Sequence, residues 1–183
     1  VASFTQPLGG KMMLGLGYER IGSDLMSENG AFLSLGYQLS RNLQLGLTGK
    51  YLFWSVDDFD AADPLSGESA GNVGVDVGLL WTTPVQGARL GVMLKNVNKP
   101  NVAADVAGSI PSDAGALPMD LAVGVSYDIS ASLVSVQWAT RDLGGDSSEN
   151  RLIVGGETKL VQGLLLRAGG SRIFEDDASG DLN

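Results

Sequence analysis

The sequence predicts an all-β protein: an antiparallel up-and-down transmembrane β-barrel, with about ten strands in its 183 residues. Three observations predict it. Apolar and polar residues alternate with a period of two along most of the chain. The connections between these stretches are short and long by turns. Aromatic residues stand at both ends of the apolar faces.

Side chains two apart lie on one face of a strand. Ten stretches read this way: 1–6, 11–21, 30–38, 43–56, 72–83, 87–97, 117–127, 132–141, 151–160 and 164–174. The first, VASFTQ, is short. In the second, Met12, Leu14, Leu16 and Tyr18 share one parity, opposite Gly15, Gly17 and Glu19. The third carries Tyr37 on its apolar parity. The fourth, LQLGLTGKYLFWSV, sets Leu43, Leu45, Leu47, Tyr51 and Phe53 against Gln44, Gly46, Thr48 and Lys50. The fifth sets Val73, Val75, Val77, Leu79 and Trp81 against Gly74, Asp76 and Gly78. The sixth and seventh carry Arg89, Gly91 and Lys95, then Asp120 and Gly124, on the polar side. The eighth has Val134, Val136 and Trp138 in phase. The last two place Gly155, Glu157 and Lys159, then Arg167 and Gly169, on the polar side. No segment holds a helical period over the ten or so residues a helix requires.

The connections 7–10, 39–42, 84–86, 128–131 and 161–163 are short. Those at 22–29, 57–71, 98–116 and 142–150 are long. In an up-and-down sheet every second connection lies at the same edge. Short turns then gather at one end and long loops at the other, as in outer-membrane barrels with strands of ~10 residues. A soluble sandwich or lipocalin-like barrel shares the alternation, and its loops also vary in length.

Tyr37, Trp81 and Tyr127 stand near short turns, whereas Tyr18, Tyr51, Phe53 and Trp138 stand near long loops. All fall on apolar parities, as expected of two girdles at the headgroup interfaces. The ten residues from Leu43 to Phe53, at ~3.3 Å each and tilted by ~40°, span roughly 25 Å. Glu19, Lys50, Asp76, Arg89, Lys95, Asp120, Glu157, Lys159 and Arg167 fall on the opposite parity, the expected lumen face. Charges of both signs occur there, so they can pair in a structural network, with Lys50 and Asp76 the leading pair; a selectivity path is the competing reading.

Composition removes several functions. There is no histidine and no cysteine, so the usual general base, triad, thiolate metal site and disulfide framework are missing. The net charge of −9 disfavours nucleic acid. No apolar run approaches the ~18 residues of a membrane helix. No Gly-rich phosphate loop occurs; Gly9-Gly10 and Gly144-Gly145 are turn devices. The expectation is therefore no enzyme and no cofactor. Asp57, Asp58, Asp60 and Asp63 offer hard oxygen ligands, but their spacing is not that of an EF-hand; a solvated acidic loop is the better reading, as it is for Glu175, Asp176 and Asp177. Trp54 and Phe59 lie off the girdles. Trp54 points inward by parity and is expected to pack under the 57–71 loop.

Most acidic residues fall in the long loops or after Phe174, so the long-loop end is strongly negative. The opening VASFTQ already reads as a strand, and the closing EDDASGDLN reads as a loop. Strands are therefore expected beyond both ends, making residues 1–183 part of a single barrel domain.

Several pieces in order resemble one family. They are Gly49-Lys50-Tyr51, Asp76-Val77-Gly78, the GVMLKNVNKP run from Gly91 to Pro100, and the LPMDLAVGVSY strand from Leu117 to Tyr127. Together they resemble the PorV/PorQ outer-membrane proteins, relatives of the FadL-type transporters. The resemblance implies a barrel of about fourteen strands in the bacterial outer membrane, its long acidic loops facing outward. It implies an accessory or scaffold role, in some members serving type IX-like protein secretion. Its partners would be outer-membrane lipid and, through the long loops, other outer-membrane or secreted proteins. A FadL-like channel for hydrophobic small molecules and a soluble ligand-binding β-barrel are the alternatives.

Overall fold

In the computed structural model, the described residues are 1–23, 25–58, 66–103, 115–145, 148–161 and 164–175. They form ten strands: β1 (Ala2–Gly9), β2 (Met12–Gly22), β3 (Met26–Gln38), β4 (Leu43–Val56), β5 (Ser69–Thr82), β6 (Ala88–Lys95), β7 (Asp120–Ile129), β8 (Ser132–Arg141), β9 (Glu149–Val161) and β10 (Leu164–Glu175). Each strand pairs antiparallel with the next in a single sheet, ordered β1 to β10. The fold is all-β, antiparallel and up-and-down. β1 and β10 do not pair with each other, so the described sheet is open.

The tight ends follow from local chemistry. Gly9 and Gly10 hold φ of 94° and 58°, a left-handed pair that closes β1 onto β2. Pro7 lies in β1, an edge strand of the described sheet, where its missing N–H is tolerated. Between β2 and β9 the ladders run without a register shift; shifts occur only at Pro7/Gly9 and Leu164/Leu165, beside turns.

This unbroken register sorts the side chains onto two faces. Leu16 pairs with Leu33, Leu47 with Val77, Val92 with Val123, and Val136 with Val154. These apolar residues form one face and lie largely open: Leu33 is 51% exposed, Leu47 49% and Val136 49%. Among the described residues, no large side chain is fully buried. The sheet thus has no sealed apolar interior of the kind that stabilises a soluble domain. The other face is concave, since residues from β3 to β9 on that face line one common cavity of about 1010 Å³.

The connections depart from the sequence reading at several strand ends. The stretch 22–29 was expected as a long loop, yet β2 ends at Gly22 and β3 begins at Met26. Ser27, Glu28 and Asn29 continue the ladder opposite Ser55, Trp54 and Phe53. β5 and β9 likewise start earlier than expected, at Ser69 and Glu149. These extensions are made mostly of polar and small residues, so they carry no apolar alternation. β6 and β7 are shorter than expected, ending at Lys95 and starting at Asp120.

Candidate functional site

The candidate site is the concave face, and its centre is an ion pair. Lys50 of β4 lies opposite Gly74 of β5, and Asp76 opposite Thr48. The two charges are therefore diagonal neighbours on one face, and Lys50 Nζ reaches Asp76 Oδ1 at 2.7 Å. Lys50 is 8% exposed and Asp76 7%. The same carboxylate oxygen accepts the Asn96 backbone N–H at 2.8 Å. A lysine this buried is tolerated only because it is paired. Gly74 makes room for it: a Cβ there would lie 2.7 Å from Lys50 Cε.

The cover over this pair comes from the β6–β7 connection. Asn96 and Lys99 adopt φ of 53° and 44°, and Lys99 N–H closes a turn onto Asn96 O at 2.8 Å. The turn takes the chain off β6. Asn98 then imitates a strand residue, accepting from Val75 N–H at 2.9 Å and donating to Val73 O at 2.8 Å. It satisfies the edge of β5 beyond Val77, where the pairing with β6 ends. Next, Pro100 is buried, Asn72 donates to Asn101 O at 2.9 Å, and Trp54 Nε1 donates to Val102 O at 3.0 Å. Trp54 thus bonds to this connection; residues 59–65 of the 57–71 loop, under which it was expected to pack, lie outside the described residues. The segment is braced by its own return: Asn101 bridges Ala116, and Leu117 N–H bonds Pro100 O at 2.9 Å.

The remaining sequence-derived charges share the concave face by register. Glu157 and Arg167 are direct cross-strand partners and form an ion pair. Arg89 pairs with Asp128 at 2.7 Å. Asp128 was assigned to a turn, but β7 runs on to Ile129 and carries it. Lys95 faces Asp120 across β6 and β7, and Arg141 faces Glu149 across β8 and β9. Leu121 pairs with Thr140, which sets these four at one level with alternating sign. Glu149 in turn holds Arg151 at 3.1 Å. Arg141, Glu149 and Arg151 were missed, although the parity of Arg151 with Ile153 and Glu157 marks it. Glu19 and Lys159 occupy the same face with no ion pair among the described residues. Lys95, Asp120, Arg141, Glu149 and Arg151 line the large cavity, whose floor is made of small residues such as Gly46, Gly78, Gly91 and Gly124.

No protein-family model and no curated protein matches this chain.

On the convex face, Tyr37, Trp81 and Tyr127 lie toward the 39–42, 83–87 and 130–131 turns, and Tyr18, Tyr51, Phe53 and Trp138 lie toward the other end. Tyr51 stacks on Phe53 at 5.4 Å between centroids. Trp138 stacks on Phe174 at 5.8 Å, and the Arg172 guanidinium sits 5.3 Å from that ring. Tyr18 Oη donates to Asn29 Oδ1 at 2.8 Å. Beyond Tyr18, the face turns polar with Asn29, Ser27 and Ser55, which bond one another through Ser27 Oγ.

Asp58 accepts from Ser66 Oγ at 3.1 Å. Asp60, Asp63, Phe59, Asp176 and Asp177 lie outside the described residues.

Proposed function

We propose that this sheet is the wall of a β-barrel that spans the bacterial outer membrane. The carrying observation is the sorting of faces. Large apolar side chains lie open across the convex face between two aromatic rows, while the ion pairs and most strand glycines lie on the concave face, among fewer apolar residues such as Leu80 and Met93. Water rewards the reverse arrangement; hydrocarbon outside a polar lumen rewards this one. Trp138, Phe174 and Arg172 form an amphipathic cluster of the kind favoured at headgroup level.

Within that wall, the role is that of a non-catalytic accessory or scaffold barrel of PorV/PorQ type, its long-loop end engaging other outer-membrane or secreted proteins. Support for this finer reading is the ordered resemblance and the long connection between β6 and β7. A FadL-like channel is the second reading, favoured by the open cavity of about 1010 Å³, whose lining includes Leu80, Met93 and Ile153.

Tryptophan fluorescence of the full-length protein in bilayers of brominated lipid tests the membrane reading. Trp81 and Trp138, studied one at a time, are expected to be quenched, and Trp54 spared. Detergent-free solubility with all three unquenched would favour the soluble ligand-binding barrel. A protein neighbour seated on the long-loop end in native membranes would favour the scaffold; an apolar ligand held in the cavity would favour the channel.

A further inference from the structure

We propose that residues 96–103 are an inward-folded strut that closes the long-loop half of the concave space over β4 and β5, confining open access to the face of β6–β9. This rests on the membrane reading, which makes the concave face the lumen.

Over β4 and β5, Lys50, Asp76 and Asn96 are each more than nine-tenths buried, and Pro100 is buried with them. Beside the strut, between Val102 and the face of β2–β4, the space lined by Glu19, Glu28, Leu52 and Trp54 is about 190 Å³. Over β6–β9 the cavity is about 1010 Å³. It reaches the long-loop end past Asp120, Arg141 and Glu149, and it extends toward the short-turn end over Gly36, Gly46 and Gly78. The free volume therefore runs obliquely, entering beside β7–β9 and passing beneath the strut.

The way the strut is held makes it a separable part. β6 leaves the ladder at Leu94, and from there a single backbone bond, Val97 N–H to Val75 O at 2.9 Å, joins the segment to β5. Its other attachments to β4 and β5 run through side chains: Asn98 to β5, Asn72 to Asn101, Trp54 to Val102, and Asp76 to Asn96. Side-chain bonds of this kind exchange for water at small cost, unlike a continuous ladder. Two non-glycine residues in left-handed conformations, Asn96 and Lys99, aim the segment inward. What the route admits is set by the alternating charges Lys95, Asp120, Arg141 and Glu149 and the glycine floor, a surface suited to hydrated polar solutes.

The chain contains no cysteine, so single cysteines report cleanly in the full-length protein reconstituted in lipid vesicles. The probe is a membrane-impermeant sulfonated maleimide. Gln137→Cys, on the β8 concave face, is expected to react at least about tenfold faster than Leu52→Cys beneath the strut. Adding Asn72→Ala with Asn98→Ala is expected to raise the Leu52→Cys rate toward that of Gln137→Cys and leave Gln137→Cys itself unchanged. Equal rates at the two positions in the otherwise unaltered protein overturn the strut, whether or not the double variant folds. So does a Leu52→Cys rate that stays slow in a double variant whose Gln137→Cys rate is normal. Leu47→Cys on the convex face reports the membrane reading separately. It should resist the sulfonated reagent and react with a lipid-soluble maleimide; reaction with the sulfonated reagent as fast as Gln137→Cys defeats that reading.

Discussion

Lys50 and Asp76 meet at 2.7 Å on neighbouring strands, each side chain no more than a tenth exposed. Removing one charge therefore leaves the other buried and alone. Asp76→Ala is expected to destabilise the protein by about 3–5 kcal/mol. Lys50→Met combined with Asp76→Leu is expected to recover most of that loss. Urea titration in detergent, read by heat-modifiable mobility on gels, measures both.

The exposed pair behaves differently. Arg167 is 73% exposed at its side chain while bonded to Glu157. Solvent screens such a pair, and Arg167→Ala is expected to shift stability by less than ~1 kcal/mol in the same titration.

Two glycines on opposite faces give a paired test. A Cβ at Gly74 would lie 2.7 Å from Lys50 Cε and 3.4 Å from Pro100 Cγ, whereas nothing lies within 4 Å of a Cβ at Gly49. Gly74→Ala is expected to lower thermal stability by displacing Lys50, and Gly49→Ala to leave it unchanged or slightly raised. Equal melting temperatures for the two variants would contradict the placement of Lys50.

Neighbouring residues on one strand separate the faces directly. Val136 is 49% exposed on the convex face, and Gln137 lines the cavity. In lipid, Val136→Lys is expected to cost ~2–4 kcal/mol and Gln137→Lys less than ~1 kcal/mol. Refolding equilibria into lipid vesicles provide the measurement.

The strands were legible where a one-sided apolar pattern exists. β4 and β8 run over 43–56 and 132–141, as their alternation predicts. Pattern reading stopped short at Ser27-Glu28-Asn29, Ser69-Ala70-Gly71 and Glu149-Asn150, because those rungs rise above the apolar band and no longer contrast two faces. The Lys50–Asp76 pair was legible from parity plus adjacency. The strut was not. Asn98 serves as a strand residue through its side chain, and Asn96 and Lys99 turn the chain by adopting left-handed angles, and neither act leaves a periodic trace. Residues 94–97 were read as the end of the sixth strand and 98–100 as the start of a loop; the asparagines and proline of this stretch prove to be what bends the chain over the ion pair.

The uninterrupted register from β2 to β9 has a consequence for how such a wall can change length. Gaining or losing one residue inside a strand would turn every later side chain of that strand inside out, moving lysines to the apolar convex face and leucines to the charged concave one. Two-residue steps keep each side chain on its own side. Strand lengths in functional variants should therefore vary in even increments, whereas the connections are free to take odd ones.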